Sequence, residues 1–296
     1  LSCRGWSISV SLAVQAAVKA LIMLLACCFS GSAWAETRIL ALAPHACEML
    51  YAIGAGPQLV GAVSFCDYPA AAKKLPRVGS YNGINVEAAL RLKPDIAVVI
   101  NRNISGVNML KKMGVRIIVS NPASFDAMFN DLLKLGAVTD HPDTAASVVA
   151  GLRQRLQQVR SRPRSGTAVF YEVWSDPLLT AGGPSFISDL VHEAGGSNIF
   201  AGINVETPHV NVESVVRARP ALIIIPLEKR DIEGRRAFWE QWLGKGNIRF
   251  AAINPDLLHR PGPRLLDGLE LLQQALQNKN LPPQRTQRNA EARQNP

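Results

Sequence analysis

Residues 85–100 read NVEAALRLKPDIAVVI, and residues 211–225 read NVESVVRARPALIII. Asn85, Val86 and Glu87 return as Asn211, Val212 and Glu213. Leu90, Arg91, Lys93 and Pro94 return as Val216, Arg217, Arg219 and Pro220, with every pair 126 positions apart. Each copy ends in an apolar run, Ile96–Ile100 and Leu222–Ile225. The same three events are therefore predicted twice: an asparagine-capped helix, a break at proline, and a strand buried on both faces.

Working outward, a second block repeats in the same order. Glu48–Gly54 and Gly61 return as Asp189–Gly195 and Gly202, 141 positions on. Each is an apolar helix stopped by glycine, followed by a short connection and another glycine. Two blocks in the same order in each half mean two related lobes. The offsets differ because the first half carries a longer connection, AVSFCDYPAAAKKLPRVGSYNGI, at residues 62–84.

Ile39–Ala43, Leu59–Val63, Arg116–Val119 and Ala168–Val173 are further aliphatic runs, and amphipathic stretches alternate with them. This is the pattern of an α/β protein in which helices cross over between strands of a parallel sheet. Between the halves, Ala145, Val148, Val149, Leu152, Leu156 and Val159 recur at helical steps, so Thr144–Arg160 is predicted as one helix that Pro163 stops. The expected organisation is a lobe over 36–138, a linking helix within 139–162 and a second lobe over 163–277. A stiff link favours a preformed cleft between the lobes over wide hinge closure.

The chain has 296 residues, 48% of them hydrophobic, enough to bury a large core. Its net charge is +9, but much of the excess sits at the ends. Arg4 and Lys19 meet no acid in residues 1–35, and Lys279, Arg285, Arg288 and Arg293 meet only Glu291 in residues 278–296. The body is too weakly basic for a nucleic-acid partner.

Residues 1–35 combine sparse positive charge, the apolar run Ala20–Phe29 and the small-x-small step Ala33-Trp34-Ala35. That order predicts a cleaved secretory signal peptide, since the apolar run is too short for a membrane span. Leu24, Leu25, Ala26 and Cys27 also match a lipoprotein cleavage box, which leaves a lipid anchor at Cys27 open. Export leaves Cys47 and Cys66 in an oxidising compartment. A bridge between them would close a loop of about 19 residues, worth about 3 kcal/mol, and two buried free thiols fit equally well. Residues 278–296 are polar with no apolar periodicity and read as a frayed tail.

Nothing in the chain signals catalysis. It lacks a G-x-S-x-G elbow, an H-E-x-x-H helix and a Walker loop. Gly54-Ala55-Gly56 follows a helix and is read as a helix C-cap and turn. His45, His141, His192, His209 and His259 come singly, without metal-ligand spacing. Cys47 and Cys66 are not a C-x-x-C redox pair. Binding is the default, with no enzyme activity, resident cofactor or structural metal expected.

Two constellations remain. Glu87 and Glu213 stand in the first turns of matching helices, where a carboxylate next to an asparagine cap already has a local reason to be. Their recurrence on both lobes suggests two anionic knobs for one partner with basic sockets. Phe65, Tyr68, Tyr81 and Trp174 are rings near strand ends, where open α/β sheets bind ligands, and would suit a broad, partly apolar molecule. Phe238, Trp239 and Trp242 have helical spacing and are expected in the core.

Residues 38–100, with the A-P-H start, the D-Y-P turn, the N-x-E helix and K-P-D before a strand, resemble the periplasmic cobalamin-binding proteins of ABC importers. These belong to a wider family that also captures haem and iron-siderophores. The likeness runs to about Leu276. It implies two Rossmann-like lobes joined by one long helix, a ligand cleft between them, and delivery of a corrinoid by a monomeric periplasmic protein to an inner-membrane importer. The family's docking glutamates fall on Glu87 and Glu213. Its ligand-lining positions fall on Pro44, Phe65, Tyr81 and Asp256, with Trp174 nearby. Asn101 and Thr207 stand where cobalamin binders can carry tryptophan, and Cys66 where a small polar residue is usual. Haem or an iron complex in the same scaffold is the alternative, with His45, Tyr81 or His209 as axial ligand.

Overall fold

Strand β1 (Ile39–Leu42) begins the first lobe and is buried at every position. The computed structural model describes residues 36–80, 83–226 and 232–277. The leader, Tyr81 and the tail therefore lie outside the described residues. Helix α1 (Pro44–Ala52) follows β1, starting on a proline whose missing N–H costs nothing there. Gly54, at φ 90°, turns the chain past its C-terminal end, as the cap reading expects.

Next come β2 (Leu59–Ala62), a short hairpin of β3 (Gly79–Ser80) and β4 (Gly83–Ile84), helix α2 (Val86–Arg91) and β5 (Ile96–Val99). Helix α3 (Val107–Lys112), β6 (Arg116–Val119) and α4 (Phe125–Val138) complete the lobe. The sheet order is β2-β1-β5-β6, and each of its pairs is parallel. Ile96–Val99 has no exposed residue, which is why the sequence there is a continuous apolar run.

Helix α5 (Pro142–Arg160) links the lobes and starts two residues before the predicted Thr144. Ala145, Val149, Leu152, Leu156 and Val159 form its buried stripe. The second lobe contains β7 (Ala168–Ser175), β8 (Leu178–Thr180), α6 (Phe186–Glu193), β9 (Ser197–Asn198), α7 (Val212–Ala218) and β10 (Leu222–Pro226). It closes with α8 (Ile232–Leu243), β11 (Arg249–Ile253) and α9 (Leu265–Leu276). Its sheet runs β11-β10-β7-β8, with β9 also on β7.

One correction concerns this sheet. The sequence leads to expect parallel strands, but β8 is antiparallel to β7. Only Asp176 and Pro177 separate the two strands, and so short a connection can join only antiparallel neighbours. A second correction concerns Trp242, expected in the core with Phe238 and Trp239. Trp239 is fully buried and packs on Phe170, and Phe238 is half-buried, but Trp242 is 49% exposed. It sits in the last turn of α8, off the stripe that Trp239 marks. A third is Gly202, which the repeat matches to Gly61: Gly61 lies inside β2 and Gly202 in a turn.

The repeat is visible in the backbone. Asn85 and Asn211 cap α2 and α7 by accepting the N–H of Ala88 and of Ser214, at 3.0 and 2.8 Å. Lys93 and Arg219 both take a left-handed conformation, φ 45° and 48°, before the paired prolines. Gly54 and Gly195 do the same after α1 and α6, at 90° and 93°. Among the described residues no helix is long and apolar enough to cross a membrane.

Candidate functional site

Four of the ligand-lining candidates fall at or just beyond the C-terminal end of a strand: Pro44 after β1, Phe65 after β2, Trp174 near the end of β7, and Asp256 after β11. That edge is where open α/β sheets present their loops. Pro44 is buried. Phe65 and Trp174 are 47% and 55% exposed, large apolar side chains of the kind folding normally hides. Phe65 is held at φ 67°, a strained conformation for a non-glycine residue. The Trp174 indole N–H donates to the Asp176 carbonyl at 2.7 Å, which fixes the ring against its own hairpin turn.

Cys47 of α1 and Cys66 after β2 are disulfide-bonded, with Cα atoms 5.9 Å apart. The bridge ties the residue next to Phe65 to the first-lobe core, where both cysteines are buried. The long connection at residues 62–84 continues into Asp67 and Tyr68, and these reach the other lobe. Arg260, in the loop between β11 and α9, donates to Asp67 at 2.6 Å, pairs with Asp256 at 2.8 Å and lies 3.5 Å from Glu48. Arg264 grips the Glu48 carboxylate with two donors, one at 2.9 Å, and stacks over the Tyr68 ring at 3.9 Å. Gly262 lets the loop backbone approach: a Cβ there would stand 3.3 Å from Glu48 Oε2.

Arg260 therefore joins the two sides of the site, since Asp67 follows Phe65 in the first lobe and Asp256 belongs to the second. None of Glu48, Asp67, Arg260 and Arg264 was named as a site residue from sequence, although Glu48 opens the repeated block and Asp67 the D-Y-P turn. For Arg260 and Arg264 the signal was their pairing in His259-Arg260-Pro261-Gly262-Pro263-Arg264. Burial raises the pKa of Glu48, while Arg264 and Arg260 pull it back. Paired this closely to two guanidiniums, the carboxylate is held as an ion.

His259 forms the other unforeseen contact, its Nε2 standing 2.9 Å from the hydroxyl of the buried Tyr171. Desolvation, and then the Arg260 charge, lower the imidazole to about 4. His259 is therefore neutral at neutral pH. His45 corrects an expectation. It is 3% exposed, and its Nε2 is 2.9 Å from the Ser120 carbonyl. Desolvation lowers its pKa as well. A buried ring committed to the backbone is not placed to ligate a cleft metal. His209 is exposed and bridges to Leu179.

Glu87 and Glu213 lie in the first turns of the two capped helices, and both are exposed. Glu87 pairs with Arg91 on its own helix, a link too solvated to remove it from the surface. At two of the three departures from the family pattern, Asn101 accepts the Asn103 N–H at 2.9 Å and Thr207 is exposed. No cluster of metal-ligating side chains occurs among the described residues.

A family model described as "Periplasmic binding protein" matches residues 39–233. The Vitamin B12-binding protein of Yersinia pseudotuberculosis serotype O:1b (strain IP 31758) is 33% identical over 252 residues, 84% of this chain and 89% of that protein. Its counterpart in Yersinia pestis (strain Pestoides F) is 34% identical over 238 residues, 79% and 84% of the two chains. Among solved structures, the periplasmic vitamin B12 binding protein BtuF of Vibrio cholerae superposes with a TM-score of 0.71 at 30% identity, covering 81% of this chain and 96% of its own. The periplasmic heme binding protein HutB of Vibrio cholerae gives 0.72 at 17% identity over 82% and 99%, which shows a shared fold.

Proposed function

The chain belongs to the periplasmic binding protein family, and from that premise we propose that it captures cobalamin or a close corrinoid in the periplasm and hands it to an inner-membrane ABC importer. The observation that carries this reading is the strand-end site: two exposed rings, Phe65 and Trp174, on different lobes, with Arg260 joining Asp67 to Asp256 between them. A corrinoid offers a broad apolar face to rings and amide-bearing edges to charged and polar groups. The B12-binding relatives cover most of the chain and support the choice.

Within this reading Pro44, Phe65, Trp174 and Asp256 line the ligand, and Tyr81 joins them. Glu87 and Glu213 dock on basic sockets of the permease, where charge pairs fix orientation and speed encounter. The protein works as a monomer after its leader is cleaved.

Titrating the purified chain with cyanocobalamin and, separately, haemin tests the ligand. Saturable quenching of intrinsic fluorescence by micromolar cyanocobalamin is expected, and substitution of Phe65 and Trp174 by alanine should weaken it about ten-fold or more. A Soret shift with haemin and no response to cyanocobalamin would reassign the site to haem.

A further inference from the structure

A pocket of about 310 Å³ opens at the β6 edge of the first sheet, lined by Arg102, Asn108, Lys111 and Arg116 over Val115 and Ile117. It belongs to neither the strand-end site nor the seam between the lobes, which lies off β2 at Asp67. Three of its residues are cations and none is an acid. Five arginines elsewhere, Arg155, Arg160, Arg235, Arg260 and Arg264, each hold a carboxylate. Arg102, Lys111 and Arg116 have no ion-pair partner among the described residues. The nearby Asp95 accepts the Arg38 backbone N–H through its carboxylate, while only its carbonyl accepts the Arg116 N–H.

We propose that this pocket binds the phosphate group of an anionic ligand. Two arginines and one lysine line a single concavity, with Asn108 beside them. Forks match phosphate oxygens two at a time, and the ammonium adds a point charge. Three converging cations suit a phosphate ester better than a single carboxylate. The apolar floor keeps water from one side of the bound anion, so each charge contact gains strength. The volume exceeds that of one phosphate, which leaves room for the group attached to it. A lipid headgroup and a free phosphorylated solute share this chemistry, and experiment separates them.

The test has two arms, both at low ionic strength. One titrates the chain with inorganic phosphate and glycerol phosphate, followed by calorimetry. The other measures cosedimentation with phosphatidylcholine vesicles with and without phosphatidylglycerol. Saturable binding is expected in at least one arm. It should weaken about ten-fold or more in R102E/K111E/R116E, and change less than about two-fold in K74E/K134E/K245E, a charge-matched control on exposed lysines elsewhere. R102Q/K111Q, a milder pair, should show a several-fold loss if the triple variant folds poorly. Binding to anionic vesicles alone assigns the site to a headgroup, and binding of the soluble probes alone assigns it to a free anion. Absence of binding in both arms, or equal losses in the pocket and control variants, overturns the proposal.

Discussion

Glu48 in the first lobe and Asp189 in the second hold matching places in the repeated helix, yet their surroundings differ. Glu48 is buried and held by two guanidiniums that come from the other lobe. Asp189 is exposed in the first turn of α6 without an ion-pair partner among the described residues, and its pKa is raised by desolvation and by Glu193. The second lobe keeps its own buried carboxylate elsewhere. Glu172 of β7 is fully buried, gripped by Arg235 at 2.8 and 3.0 Å and by the Trp239 indole at 2.7 Å. Two lobes with a common plan thus diverge in where they spend a buried charge: one uses it to clamp its neighbour, the other to anchor a helix on its own sheet.

That contrast breaks most visibly at Glu48. Glu48→Ala leaves two guanidiniums without their shared carboxylate in a poorly hydrated seam and should cost about 3–5 kcal/mol in urea unfolding. Asp189→Ala should cost less than about 1 kcal/mol; equal losses would erase the distinction between the lobes. Next in size, Glu172→Gln should cost about 2–3 kcal/mol, because an amide can still accept from Trp239 but no longer pairs with Arg235 as an ion. The loss should leave contacts across the seam intact.

A smaller effect follows from His45 in the first lobe. Its folded pKa lies below the ordinary 6.5 because burial disfavours the imidazolium. The unfolded chain therefore takes up the proton first. Stability should be full above pH 6.5 and fall as pH drops toward the lowered folded pKa, by at most about 1.4 kcal/mol per pH unit. Denaturation midpoints across pH should give a flatter profile for His45→Gln than for the unaltered chain. The caps, Asn85→Ala and Asn211→Ala, should also cost little, about 1 kcal/mol each. Their near equality would sharpen the comparison by showing that the repeat is energetic as well as geometric.

The sequence made the repeated parts legible because their signals are local. Asparagine caps, a glycine past a helix end and an apolar run buried on both faces each follow from neighbouring residues, and Asn85, Asn211, Gly54, Gly195 and Ile96–Val99 adopt the conformations their types prescribe. The α5 stripe was equally plain. What escaped notice depends on partners far apart in the chain: Arg260 meets Asp67 across 193 positions and Arg264 meets Glu48 across 216. Strand β11 was also missed, since Arg249 opens it with a charge whose guanidinium caps the Ala275 carbonyl of α9. Trp242 shows the opposite error, a helical spacing that continues one turn beyond the stripe it follows. Phe65 and Trp174 were named from sequence as rings near strand ends, while the ion pairs of Asp67, Asp256 and Glu48 with Arg260 and Arg264 were not anticipated.

The proposed division between a ligand cleft and two docking tips is tested most directly by measuring cobalamin affinity and cobalamin uptake side by side for Glu87→Ala/Glu213→Ala. The account predicts affinity within about two-fold of the unaltered chain, because both carboxylates are exposed first-turn residues, together with loss of importer-dependent uptake. Unchanged uptake, or a parallel fall in affinity, would contradict it.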